Sequence, residues 1–391
     1  MVELQTIEAL LVEQRHATSV VGPAYDSLLP WERRQLADQN PDSFFNVLRS
    51  ASDHPDEDDE QLLARNADAL AGLIRAGRYR SMPAGLFLYR LSNGDHTQTA
   101  VIGDLAVRGV AQGRVRAHER TRVTKEAELA RHLAHLRMHS SPVGLGYRAH
   151  RVVDDTVAAL AAAPPDLNFV SVDGLTQQIW AIHEAGAVDA LQRALGEVHT
   201  TYIIDGHHRV AAAARLDGEG HFLAALIPDH ELRLLPYHRL VAGPLPGDLE
   251  GRLAGLADRY DVQPGEPTAP SAEPDGRLDF VLYHGGRWLR LHRRQPAAGL
   301  MGATVADEEL LSHLFDIGDP RRDPRLSHLP GNRAPQELAE LAEDAGRGAL
   351  VLLAAPSLHD VFDYADAGRV MPPKSTWFEP KLRSGVFVVW R

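Results

Sequence analysis

The 391-residue sequence has no cysteine. That absence excludes disulfides, thiolate metal sites and cysteine nucleophiles together, and it is compatible with a reducing compartment. No stretch approaches ~20 uninterrupted apolar residues, the length a spanning helix needs, so no membrane partner is expected. The first residues, MVELQTIEALLVEQRH, carry Glu3 and Glu8 where a secretory leader would carry basic residues, so no signal peptide is expected and the expected location is the cytoplasm. Basic residues are in deficit: 41 Lys and Arg against 53 Asp and Glu give a net charge of −12. Affinity for nucleic acid rests on basic surface, so no nucleic-acid partner is expected either.

What is present is ordinary globular composition, 44% hydrophobic and 24% charged. A single core stops growing near roughly 250–300 residues, so this length predicts two or three domains. The fold class expected is α/β in the mixed, α+β sense. Residues 1–50 read as helix, loop, helix. The run DHPDEDDE at 53–60 reads as a solvated loop leading into a helix over 61–76. GLFLYRL (85–91) and TAVIGDLAV (99–107) flank Asn93-Gly94 and predict a hairpin. Thr124 is placed to cap a helix over 125–139, and a short helix follows at 187–195. The β-branched run at 198–204, the Ala-rich run at 210–216 and HFLAALI at 221–227 predict strand, helix, strand in a βαβ-like unit. QPGEPTAPSAEPDG at 263–276 reads as a linker. Strands are expected near 278–283, 287–292 and 350–356, and helices near 305–315 and 335–345.

The strongest chemical signal is Asp205-Gly206-His207-His208-Arg209, between a predicted buried strand and a predicted helix. Glycine lets the backbone turn tightly and lets a ligand approach. The first N–H groups of the new helix point past its end with the positive end of the dipole, a setting that binds phosphate. Arg209 has the fork to hold phosphate oxygens, and His207 and His208 add donors. Asp205 is the candidate ligand for a phosphate-bound Mg²⁺.

Other signals are weaker. MPPKST (371–376) ends like a Walker A loop but lacks its glycines, and Pro372 and Pro373 precede Lys374. Lys374, Ser375, Thr376 and Lys381 are read either as ligand contacts or as a structural clasp. His238-Arg239 is read as phosphate contact or structural hydrogen bonding. His132, His135 and His139 have helical spacing, but arginines beside them oppose a metal. Trp180 and Trp377 are read as packing before nucleobase stacking.

VHTTYIIDGHHRVAAAARL resembles the core of a domain-of-unknown-function family of the ParB/sulfiredoxin superfamily. The resemblance extends through PAYD (23–26), NPDSF (40–44), HERT (118–121) with Lys125-Glu126, LPYHRLV (235–241), DPRRDPR (319–325) and MPPKSTWFEPK (371–381). Over roughly 115–240 the chain also resembles the ADP- or ATP-dependent kinases of free L-serine. Sulfiredoxins use a cysteine in the phosphate loop, which this sequence lacks.

The resemblance implies a ParB/sulfiredoxin-like core at 115–240 between α/β segments at 1–114 and 241–391. It implies a kinase that moves phosphoryl from ATP or ADP, with Mg²⁺, to a hydroxylated amino acid, L-serine first. The O-phosphoserine formed would then feed a PLP-dependent enzyme. By the position of its His-Glu pair, Glu119 is the expected base, with Asp205 and His208 as further catalytic residues. Gly206, His207, His208, Arg209, Lys374, Ser375 and Thr376 are expected on the donor phosphates. His118, Arg120, Thr121, Arg122, His238 and Arg239 are expected on the acceptor. The alternatives are a nucleotide-binding regulator without turnover and a metal-dependent phosphohydrolase.

Overall fold

The structure, a computed structural model, describes residues 1–218, 220–271, 278–296, 299–372 and 374–391. Part of the predicted linker (272–276) and Pro373 lie outside the described residues. The chain forms two compact units and is mixed α and β. One unit comprises residues 1–117, 121–232 and 380–391, and the other comprises 118–120 and 233–379. The chain thus passes between units four times. The boundary expected at 114/115 falls inside the first unit, whose main sheet takes strands from both sides of it.

That sheet has eight strands. In spatial order they are Val115–Arg116, Thr201–Asp205, Val143–Tyr147, His221–Pro228, His96–Ala106, Leu86–Asn93, Thr176–Ile182 and Leu167–Val170. The predicted hairpin is there. Asn93 pairs with His96, and Gly94, at φ 60°, opens the two-residue turn. The βαβ expectation is corrected. Thr201–Asp205 and His221–Pro228 are separated by Val143–Tyr147, which is antiparallel to the first and parallel to the second. The apolar runs on either side of the Ala-rich helix specify strands but not the third strand that comes between them. One face of this sheet packs Leu86, Leu88, Leu145, Ile203 and Leu226 against Val188, Leu191 and Leu195 of the helix Ala185–Gly196. Leu191 is fully buried, worth about 1.5–3 kcal/mol relative to exposure.

The N-terminus is also corrected. Instead of a first helix, Gln5 and Ile7 bridge to the main sheet, and Leu10–Val12 joins a small antiparallel sheet with Tyr79–Ser81 and Phe387–Trp390. The buried side chains Val2, Leu4, Ile7, Ala9 and Leu11 fall mostly two apart, the strand period. In the acidic run, Asp58 caps the helix Asp59–Arg75 by accepting from the Glu60 amide. Asp53 is buried and paired with Arg33 at 2.6 Å, so the run is not wholly solvated.

The second unit is built on six antiparallel strands in the order Tyr260–Pro264, Arg287–Arg293, Asp279–His284, Ala349–Leu353, Tyr237–Val241 and Leu326–Pro330. Alternate residues of the central strands feed two cores. Phe280, Leu282, Val351 and Leu353 meet the helical stretch 302–315. Val281, Tyr283, Leu350 and Leu352 meet the helix Pro335–Asp344. A sheet covered on both faces reads as continuous apolar sequence, as ALVLL does at 349–353. Among the described residues no helix is long and apolar enough to cross a membrane.

Candidate functional site

In the first unit, Asp205 ends its strand and Gly206 caps the ten-residue helix His207–Leu216 with φ 92° and ψ 27°. The bulge that places Asp205 opposite Gly144, after Ile203 opposite Leu145, re-aims the loop. Gly144 permits the approach, because a side chain there would meet Ile204 at 3.0 Å. The amides of Arg209 and Val210 turn back onto the Gly206 carbonyl.

Here the geometry departs from the sequence expectation for two residues. Arg209 folds inward over Gly206. Its guanidinium donates to the carbonyls of Ser141 and Pro142 and to the Asp205 carboxylate. Arg209 therefore locks the loop instead of extending a fork to phosphate. Asp205 accepts from Arg209 on one oxygen and from Lys381 Nζ on the other at 2.6 Å. A carboxylate with a cation on each oxygen does not fit the role of a direct Mg²⁺ ligand. Among the described residues no three or more acidic or histidine side chains are grouped to hold one.

Gly206 is needed twice over. Its φ is left-handed, and a Cβ would stand 2.9 Å from Arg209 Nε. The Gly206→Ala variant should lose roughly 1–3 kcal/mol of stability from strain and displacement of Arg209. Urea denaturation reads this, and a loss under ~0.5 kcal/mol would mean that the loop relaxes freely.

His208 Nε2 accepts the backbone N–H of Arg122 at 3.0 Å, so that nitrogen carries no proton in this geometry. Arg122 is the N-cap of the helix Val123–Leu136, which corrects the expected cap at Thr124, now inside the helix. Thr121 donates to Glu126. The histidine stripe is broken. The helix ends at Leu136, and His139 sits in a strand where its Nδ1 accepts the Leu223 amide. Trp180 is buried with its Nε1 on the Ala163 carbonyl, a packing role.

The second unit holds the other expected residues. Glu119 bridges in parallel to Met371, and the Met371 amide donates to the His118 carbonyl at 2.7 Å. The Lys374 amide donates to Glu119 Oε2 at 3.3 Å. His118 is buried and its Nε2 meets Thr376 Oγ1 at 2.9 Å. Ser375 is buried and donates to the Pro372 carbonyl. Of the two readings left open for the Lys-Ser-Thr segment, the buried and hydrogen-bonded hydroxyls of Ser375 and Thr376, with His118, support the clasp. Lys374 Nζ reaches the Tyr237 hydroxyl at 3.2 Å. Trp377 is buried edge-on to Tyr237. Arg120 is exposed and Glu119 half-buried.

His238 and Arg239 are buried as well, each with a hydrogen-bond partner inside the unit. His238 Nδ1 accepts the Leu353 amide, and burial, with the Arg239 charge beside it, pushes its pKa down to about 4. Folding therefore holds His238 neutral while the unfolded chain binds a proton below its ordinary 6.5. Stability is full above that value and falls as pH drops toward 4, by ~3 kcal/mol in all. His238→Gln should flatten this fall in acid denaturation followed between pH 7 and pH 4. An unchanged acid profile would sink the assignment.

Several partners were not singled out in the sequence. Asp307 and the carbonyls of Ser141 and Pro142 belong to no motif of reactive residues, and Tyr237, inside LPYHRLV, is overshadowed by the His-Arg pair that follows it. Gly144 and Gly146 are the sequence feature that would mark a close backbone approach beside them.

A mixed α and β protein with a polar strand–glycine–helix loop is the class that this architecture defines. The sequence pattern described as "Protein of unknown function (DUF1015)" matches residues 4–314. The chain belongs to that family. No curated protein matches it. Among solved structures it is similar to a mutant free serine kinase in complex with ADP. Identity there is 13%, the TM-score is 0.38, and the match covers 71% of this chain and 87% of the other. A conserved hypothetical protein from Pyrococcus furiosus gives 14%, 0.38, 71% and 90%. A C-terminally truncated SbnI from Staphylococcus aureus gives 11%, 0.37, 71% and 82%.

Proposed function

We propose that this chain is a phosphotransferase that moves a phosphoryl group from ATP or ADP to the hydroxyl of a small amino acid, free L-serine first. The observation that carries the reading is the loop after the strand Thr201–Asp205: a left-handed glycine followed by the N-terminus of a ten-residue helix with two histidines in its first turn. Such a terminus favours phosphate through its N–H groups and dipole. The DGHHR resemblance supplies the kinase class.

In this reading Gly206, His207 and His208 take the donor phosphates, while Asp205, Arg209 and Lys381 hold the loop in shape. Glu119 is the base. The acceptor oxygen forms its bond to phosphorus as the bridging oxygen–phosphorus bond to the leaving nucleotide breaks. The hydroxyl proton passes to the Glu119 carboxylate late in the transfer. Exposed Arg120, the residue after Glu119, supplies positive charge for an acceptor carboxylate. O-phosphoserine made this way would suit a PLP-dependent enzyme that displaces phosphate.

One observation favours a second reading, a nucleotide-binding regulator without turnover. Asp205 and Arg209, the most reactive-looking pair in the loop, are committed to each other, to Lys381 and to backbone carbonyls. Phosphorus NMR separates the two. The purified chain is given ATP or ADP with Mg²⁺, with L-serine, with other hydroxy amino acids, or with no acceptor. A phosphomonoester that requires an amino acid establishes the kinase and names both substrates. Inorganic phosphate in every tube indicates a hydrolase. Nucleotide binding with no product supports the regulator.

A further inference from the structure

We propose that the buried pair Arg239–Asp307 is a positioning device that sets the carboxylate of Glu119 through the backbone of Lys374. The inference rests on the reading of Glu119 as the base, and every residue it uses lies in the second unit.

Arg239 stands on the strand Tyr237–Val241 with none of its side chain exposed. Its guanidinium makes a forked pair with Asp307, Nε to Oδ1 at 2.9 Å and Nη2 to Oδ2 at 3.4 Å. Nη1 donates to the carbonyls of Tyr237 at 3.2 Å and Lys374 at 3.1 Å. A guanidinium withdrawn from water loses much hydration, and an apolar side chain generally serves packing as well or better. What an apolar side chain cannot do is grip a carbonyl 135 positions along the chain.

The grip has a consequence at Lys374. This residue adopts φ 59°, a conformation unfavourable for any residue with a Cβ. It is held at both ends of its backbone, the carbonyl by Arg239 and the amide by Glu119 Oε2. Glu119 is in turn fixed through its own backbone by the bridge to Met371. The carboxylate is thus located from two directions, and one of them runs through Asp307. Asp307 lies in 306–311, where the helical stretch 302–315 widens to a π-helix. Such widenings are frequent at functional sites.

Phosphoryl transfer from ATP or ADP to L-serine is the rate to follow in Asp307→Asn, Arg239→Lys, Glu119→Gln and the double variant Asp307→Asn with Glu119→Gln. Calorimetric titration with ADP counts binding-competent chains in each. Misplacing a catalytic group by about an ångström costs up to ~10²-fold, so each Asp307 or Arg239 variant should lose roughly 10- to 100-fold in kcat. The number of ADP sites per chain and the KM for the nucleotide should stay within about twofold, whereas misfolding would lower sites and rate in proportion. Arg239→Lys keeps a cation beside Asp307 but not the fork, so it tests the grip with the charge pair retained.

The decisive variant is the double one. If Asp307 acts through Glu119, Asp307→Asn should cost nothing further once Glu119 is Gln. Additive losses, or a parent-like kcat in a fully folded Asp307→Asn, would overturn the positioning role while leaving Glu119 as base. A parent-like rate in Glu119→Gln would overturn both readings.

Discussion

Glu119→Gln should lower kcat by about 10²- to 10⁴-fold, the usual contribution of a positioned general base. The change is nearly isosteric. The glutamine carbonyl can still accept the Lys374 amide, so the clasp of His118, Met371 and Thr376 should survive. ADP affinity should stay within a few-fold, because the change leaves Gly206, His207 and His208 of the proposed phosphate loop untouched. The pattern sought is therefore a loss in kcat with binding retained. It is checked by phosphomonoester formation over time and by calorimetric titration with ADP on the same preparation. Turnover within about threefold of the parent would remove Glu119 from the chemistry. Loss of binding together with turnover would instead assign it to the nucleotide.

Lys381→Ala should be the most damaging single change in the phosphate loop. Lys381 and Asp205 are 2.6 Å apart with side chains 9% and 16% exposed, a nearly dry ion pair. Taking one partner from such a pair leaves a poorly solvated charge. The cost is 3–5 kcal/mol in fully buried cases, and about 3 kcal/mol is expected here because Arg209 still serves Asp205. Urea denaturation of the full chain measures it. ADP binding should weaken as well, since Asp205 is the residue just before Gly206. The double variant Lys381→Met with Asp205→Asn removes both charges and should recover a good part of the stability, which a double-mutant cycle reads as coupling. A stability loss below ~1 kcal/mol in Lys381→Ala, or strict additivity in the cycle, would mean that the pair is solvated and does not anchor the loop.

The sequence by itself determined several of the elements and the location of the loop. Alternation and β-branching marked the hairpin strands around Asn93-Gly94, and the continuous apolar run at 349–353 marked a strand covered on both faces, because side-chain period and burial are local properties. The turn at Asp205-Gly206 was legible because only glycine enters φ 92° without strain. The N-terminal segment was misread as helix because its apolar residues fit more than one period, and pairing with distant strands decided which one prevailed.

Tertiary structure alone decided direction, partners and charge state. It placed Val143–Tyr147 between two strands that sequence order had joined. It brought Lys381 onto Asp205 across 176 positions and Arg239 onto Lys374 across 135. It turned Arg209, Ser375 and Thr376 inward, although their residue types suggested ligand contact. Residue type states which hydrogen bonds and charges a side chain can offer. Which of them reach a ligand depends on whether the folded chain has already claimed them, and that is settled by contacts between residues far apart in sequence.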